Sequence, residues 1–297
     1  MDEKTRGRPV IAVVGPTAAG KSDLGVDLAL ALGGEVVNAD SMQLYQGMDI
    51  GTAKLTPAEQ RGVPHHLLSV WDVRRTATAA DYQALCRETL THLSTPVVVG
   101  GSGLYVRAAL DVMDFPGTDP DLRRQLEDDL AENGPGPLHE RLKALDPEAA
   151  GRMEPSNGRR IVRALEVVLL TGSMPGEMTS YEMHVPTVYL GVDRDDLALR
   201  VESRVDRMWE QGLLAEVAGL EGLREGVTAS RALGYAQALQ QLDGEIDETT
   251  AKALTVSATR RFVKRQRAWF RRDPRISWLD PTRSLLDQSL GILSNKG

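Results

Sequence analysis

The hydrophobic and polar positions of the chain switch between two periods, and the switches mark its elements. Residues 10–14, VIAVV, form an unbroken apolar run of the kind buried on both faces of a sheet. They predict a strand that leads through a glycine-bounded turn into an apolar helix pattern from Asp23 to Leu32. Two further runs, Glu35 to Asn38 and Pro96 to Val99, predict strands, the second β-branched and ending in Gly100-Gly101. Short apolar strands alternating with helical stretches predict an α/β fold around a mainly parallel sheet.

From about Phe115 to His184 the pattern changes to charged helical segments. They are broken at residues 133–137 (NGPGP), at Asp146-Pro147 and at Thr171-Gly172, with no strand signal between them. This stretch reads as a helical insertion. The run from Thr187 to Val192 returns the chain to the sheet, and long helices follow to about Trp269. The expected organisation is a core in two parts, residues 1–114 and 186–297, around an inserted helical domain at 115–185.

Composition adds little to this picture but removes several classes. With 41% hydrophobic and 26% charged residues over 297 positions, the chain has a globular balance, far from that of a disordered one. Cys86 is the only cysteine, so neither an intrachain disulfide nor a cysteine zinc cluster can form, and a reducing, cytoplasmic setting is expected. The opening MDEKTRGRP is not followed by an apolar run of about 7 to 15 residues, only by short pieces such as Val10 to Val14, so neither secretion nor a membrane span is expected.

Charge matters through its distribution. The net charge of -7 argues against nucleic-acid binding on average, yet between Ser257 and Arg275 eight basic residues face one acidic residue. At helical spacing Arg260, Lys264, Arg267 and Arg271 share an arc of about 60°, opposite Phe262, Gln266, Trp269 and Phe270. Without compensating acids nearby in sequence, that face suits a polyanion, RNA or DNA, better than it suits a merely solvated surface. Arg159, Arg160 and Arg163 begin a second basic helix after Ser156-Asn157, and Arg123 and Arg124 follow Pro120. Adjacent His65 and His66 point apart on any regular element, which favours a loop or packing role over a metal site.

The chemistry enters with Gly15 to Ser22, GPTAAGKS, an ungapped G-x-x-x-x-G-K-[ST] between a buried strand and a helix start. Convergent backbone N–H groups, the Lys21 charge and a Ser22 hydroxyl able to hold Mg²⁺ make a cradle for a di- or triphosphate, without naming the compound. Asp40, in VVNADS, sits just past the second strand, where open α/β sheets bind ligands. As a residue type there it can be a Mg²⁺ ligand, a general base or a turn cap. The VVVGGSGLY segment brings Ser102 to the same edge. Its spacing is not that of a dinucleotide fingerprint, and its strand lacks the acidic residue that helps hold Mg²⁺ in P-loop ATPases, so ATP hydrolysis is not expected.

A series of segments resembles one family, the tRNA dimethylallyltransferases. In order they are GPTAAGKS at 15, NADSMQLYQGMDIGTAK at 38, GVPHHL at 62, GGSGLY at 100, RRIVRALEV at 159, GLLAEV at 212, ALGYAQ at 232 and ATRRFVKRQRAWFRR at 258. The resemblance spans nearly the whole chain. It implies a P-loop NTPase-like core with an inserted, tRNA-clasping helical domain. It also implies Mg²⁺-assisted transfer of a dimethylallyl group from dimethylallyl diphosphate to N6 of adenosine 37 in the tRNA anticodon stem-loop, by a cytoplasmic enzyme expected to act as a monomer.

Carried over by motif, Gly15, Pro16, Thr17, Ala18, Ala19, Gly20, Lys21, Ser22 and Arg204 would hold the diphosphate, with Ser22 on the metal. Asp40, Ser102 and Lys21 would be catalytic, Asp40 as the base for the N6 proton. Ser41, Met42 and Gln43 would meet the extruded adenosine and its neighbours. Arg123 and the stretch Arg159, Arg160, Ile161, Val162 and Arg163 would meet tRNA, alongside Arg260, Lys264 and Arg267 of the basic helix. Ser102 stands where the family usually has threonine, and Arg159 where glutamine is common. Two other readings are a prenyltransferase or kinase acting on a free nucleotide, which leaves the basic helix unexplained, and a non-catalytic RNA-binding protein, which leaves Asp40 unexplained.

Overall fold

The computed structural model describes residues 9–175 and 180–296. The chain divides into two compact units, one from Met1–Val112 with Glu182–Gly297 and one from Met113–Tyr181. The first unit opens with β1 (Val10–Val14), α1 (Lys21–Leu32), β2 (Glu35–Asn38), β3 (His65–His66), α2 (Ala79–Thr91), β4 (Pro96–Gly100) and α3 (Gly103–Leu110). The second unit holds α4 (Pro120–Asn133), α5 (Pro135–Leu145), α6 (Pro147–Gly151) and α7 (Gly158–Thr171). The first unit then resumes with β5 (Thr187–Gly191), α8 (Leu197–Glu210), α9 (Leu213–Gly219), α10 (Tyr235–Leu242), α11 (Glu248–Phe270), β6 (Ser277–Trp278) and α12 (Leu285–Lys296).

The strands form one sheet in the order β3-β2-β4-β1-β5-β6, and every pairing is parallel. Parallel neighbours need crossover connections, which place helices over both faces and bury both. Alternate residues of β1 therefore serve different cores. Ile11 and Val13 pack with Leu24 and Leu28 of α1, while Val10, Ala12 and Val14 share a cluster with Tyr82 of α2 and Val106 of α3. This is why VIAVV reads as a solid apolar run rather than an alternating one.

Two short edge strands escape the sequence pattern. His65 and His66, expected in a loop or packing role, form β3 against Val36 and Val37. Their rings do diverge: His66 Nε2 meets Glu35 Oε2 at 2.7 Å, and His65 Nδ1 meets Val63 O at 2.8 Å. Two residues are too few to display a period. The same holds for β6, which pairs with Leu190 and Gly191 of β5.

Among the described residues the second unit contains helices and no strand of its own. Asp119 caps α4 by accepting from the amides of Asp121 and Leu122, and Asn157 caps α7 by accepting from that of Arg160. Ile161, Leu165 and Val168 of α7 pack with Leu126 of α4 and Leu138 and Leu142 of α5. Glu166 is fully buried among these apolar groups and is answered by Arg123 and Arg163 and by the Asp119 amide. Burial pushes its carboxyl up, but the hydrogen bonds from the two arginines outweigh that and hold it below the usual range.

This packing corrects part of the tRNA-facing stretch. Ile161 and Val162 are core side chains, so contact with a nucleic acid by their side chains is ruled out. Arg163 also donates to the carbonyls of Pro116 and Gly117, so it and Arg123 act first as partners of Glu166. Arg159 and Arg160 remain exposed on the first turn of α7.

Candidate functional site

The carboxyl edge of the sheet gathers the turns that follow β1, β2, β4 and β5, where open α/β sheets place ligands. After β1 the chain makes the phosphate loop. Gly15 has φ +135°, and a Cβ there would lie 2.1 Å from the Val192 carbonyl oxygen, so no side chain fits. Gly20, at φ 97°, opens α1 without a side-chain cap, which leaves the first-turn amides for an anion. Lys21 is half-buried and donates to the Pro16 carbonyl at 2.7 Å. Burial pushes its amine down to about 8, with Arg204 adding to the effect and Asp40 opposing it.

Arg204 comes to this loop from α8. Its guanidinium donates to Thr17 Oγ1 at 3.0 Å and to the Thr52 carbonyl at 3.2 Å. Burial lowers its pKa, with Asp40 opposing, although an arginine starts so high that it keeps its charge. A cavity of about 830 Å³ opens here, lined by Lys21, Ser22, Asp40, Gln43 and Arg204 among others.

Asp40 is held by its neighbours. The buried Asn38 side chain accepts from the Asp40 amide at 2.9 Å and donates to its carbonyl at 3.0 Å, and also donates to Leu67 O at 2.9 Å. Asp40 Oδ1 accepts from the Met42 amide at 3.0 Å, so the turn-capping role is real. It occupies one oxygen and leaves the other without a hydrogen bond among the described residues. Ser102 Oγ accepts from the Ser41 amide at 3.2 Å and donates to Ser41 Oγ at 3.3 Å, tying the β4 turn to the Asp40 turn.

A second cavity, of about 330 Å³ and largely apolar, is lined by Asp40, Ser41, Met42, Ser102 and Phe262 among others. Thr17, Asp40, Thr52, Arg204 and Met208 line both cavities. Asp40 thus borders both the cavity at the phosphate loop and a largely apolar one. Gln43 borders the first cavity, and its amide is committed to the Thr52 and Ala53 carbonyls at 3.1 and 3.4 Å.

The basic helix requires a correction. The acids missing nearby in sequence arrive through the fold. Asp193, after β5, pairs with Arg267 at 2.8 Å and Arg271 at 3.2 Å, and Glu202 of α8 pairs with Arg260 at 2.5 Å. Lys264 is exposed, with no ion-pair partner among the described residues. The opposite face holds more than packing. Phe262 lines the apolar cavity beneath Arg265, 5.6 Å from the ring centroid, and Gln266 reaches the phosphate loop. Thr52, Met208, Arg231, Phe262, Arg265 and Gln266 are site residues that periodicity alone did not reveal. A polar Gln266 in the packed row of a helix was the available signal.

The sequence model of the family described as IPP transferase matches residues 43–273. The chain belongs to that family. Within it, a tRNA dimethylallyltransferase of Parafrankia sp. (strain EAN1pec) is 61% identical over 279 residues, covering 92% of this chain and 88% of that protein. One of Streptomyces coelicolor is 62% identical over 283 residues, covering 91% and 89%. Among solved structures, the full-length tRNA isopentenylpyrophosphate transferase of Bacillus halodurans is 36% identical with a TM-score of 0.68, covering 97% of this chain and 95% of that one. A eukaryotic dimethylallyltransferase acting on tRNA reaches a TM-score of 0.80 at 26% identity, covering 97% and 79%.

Proposed function

We propose that this chain transfers the dimethylallyl group of dimethylallyl diphosphate to N6 of adenosine 37 in tRNA, releasing diphosphate. The observation that carries this reading is the place of Asp40, a residue that lines both the phosphate-loop cavity and the apolar one. Family membership and the names of the relatives supply the substrate classes.

The reaction breaks the allylic C1–O bond and forms a C1–N6 bond. The adenine amine is a weak nucleophile because its lone pair is delocalised into the ring, so removing its proton as the bond forms lowers the barrier. The Asp40 carboxylate receives that proton. Charge gathers on the departing diphosphate, where Lys21, Arg204 and the loop amides meet it in a site already shaped for anions. Ser102 holds the Ser41 backbone and so steadies the turn that carries the base.

Ser22 opens α1 beside Lys21 and lines the phosphate cavity, and no cluster of three or more His, Cys, Asp or Glu that could hold a metal ion exists among the described residues. A single hydroxyl of this kind suits Mg²⁺, which keeps most of its shell as water and substrate phosphate oxygens. When bound there, the ion would neutralise charge on the diphosphate.

An adenosine inside the anticodon loop must be unstacked and extruded before its N6 reaches Asp40. The helical unit, through the exposed cations of α7, is proposed to bind the stem-loop, and the exposed cations of α11 are proposed to contact tRNA in their own right. No helix among the described residues is long and apolar enough to cross a membrane. We place the enzyme in the cytoplasm as a monomer.

The test uses purified protein, Mg²⁺, dimethylallyl diphosphate and unmodified tRNA. Nucleoside mass spectrometry is expected to show N6-dimethylallyladenosine, with little product when AMP replaces tRNA. Product with AMP alone would move the reading to a free-nucleotide prenyltransferase.

A further inference from the structure

The GLLAEV and ALGYAQ segments line up with the family, and although only Ala232 and Leu233 of them border a cavity, they meet at one carboxylate. Glu216, on α9, accepts hydrogen bonds from three successive backbone amides: Asp49 at 3.2 Å, Ile50 at 2.8 Å and Gly51 at 3.4 Å. It also accepts the phenol of Tyr235, the first residue of α10, at 2.5 Å. Tyr235 is fully buried, so this phenol occupies a fixed place. Gly51 lies so close to its ring that a Cβ would come within 2.3 Å of Tyr235 Cε2. The loop at 49–51 is therefore docked on a carboxylate and on a ring.

The next residue is Thr52, whose carbonyl is the shared acceptor for Gln43 Nε2 at 3.1 Å and Arg204 Nη2 at 3.2 Å. Arg204 reaches from there to Thr17 in the phosphate loop. A long, half-buried guanidinium is aimed by its acceptors, and an acceptor on a loop aims well only if the loop is fixed. Lys54 secures the far side of the same loop through Asp49, the Tyr45 carbonyl and Ser69. Glu216 lines neither cavity, so any effect it has on the reaction passes through this loop.

We propose that Glu216 is a positioning residue for the transfer reaction. By gathering the Asp49, Ile50 and Gly51 amides against Tyr235, it fixes the Thr52 carbonyl that aims Arg204 at the diphosphate. The inference rests on the function proposed above, and its test separates the two.

The experiment is a double-mutant cycle of Glu216→Gln with Arg204→Lys, read as kcat/KM for dimethylallyl diphosphate at saturating tRNA. In the wild-type background Glu216→Gln is expected to lower kcat/KM about tenfold, and in the Arg204→Lys background no more than about twofold, the mark of two residues acting along one path. Tyr235→Phe keeps the ring in the core and guards against misfolding as the cause. It is expected to give the same non-additive pattern with a loss of about threefold. Equal losses in both backgrounds, or no loss in either, overturn the positioning role while leaving the functional reading intact. A wild-type protein that transfers no prenyl group overturns the functional reading and this inference together.

Discussion

Thr17 and Gln266, 249 positions apart in the chain, are joined by a hydrogen bond from the Thr17 amide to the Gln266 side-chain oxygen at 2.9 Å. The same side chain donates to the Gly101 carbonyl at 2.9 Å, so one amide on α11 ties the phosphate loop to the turn that carries Ser102. Gln266 is buried, and a Cβ on Gly101 would come within 2.3 Å of its nitrogen, so the three parts meet with no slack. Removing the amide leaves the half-buried Thr17 N–H and the buried Gly101 carbonyl without this partner, at about 1–3 kcal/mol for the buried group.

Gln266→Leu is therefore expected to lower kcat/KM for dimethylallyl diphosphate by about tenfold or more and to reduce thermal stability. Steady-state kinetics beside a melting curve checks both, and unchanged kinetics in a folded protein would remove Gln266 from the site.

Lys21 gives a pH dependence with a definite sign. Its buried amine sits near 8 in the free enzyme, so as pH rises through that value the loop loses a positive charge and grips diphosphate less well. Binding of inorganic diphosphate, followed by calorimetry from pH 7 to 10, is expected to weaken above about 8 and to take up a proton on binding there. Lys21→Arg, which keeps its charge across that range, is expected to flatten the curve.

On α11 the cations divide into two kinds. Lys264→Ala is expected to reduce the slope of log K for tRNA against log salt by about one, with the fold untouched. Arg267→Ala leaves Asp193, 13% exposed, short of its main partner and is expected to destabilise the fold by about 1–3 kcal/mol. Filter binding over a salt series, with urea melts of both variants, separates the two effects.

Much of the fold and site is legible in the sequence, and the limits have physical causes. The strands β1, β2, β4 and β5 announce themselves because a parallel sheet buried on both faces needs unbroken apolar runs, and the phosphate loop because its glycines and lysine have fixed spacing. Asp40 and Ser102 follow from their place after strands. The ion pairs of Arg260 with Glu202 and of Arg267 with Asp193 were invisible because they join residues 58 and 74 positions apart. Sequence proximity says nothing about such partners. Ile161 and Val162 show the converse: a stretch can match a tRNA-facing motif while some of its side chains serve the core.

The central claim is that Asp40 takes the N6 proton where the phosphate cavity and the apolar cavity share a wall. The direct measurement is single-turnover prenyl transfer by Asp40→Asn, with tRNA affinity measured on the same preparation. The expected rate is lower by about 10² or more, with a tRNA Kd within about threefold of wild type. A rate equal to that of wild type, with tRNA bound as tightly, would contradict it.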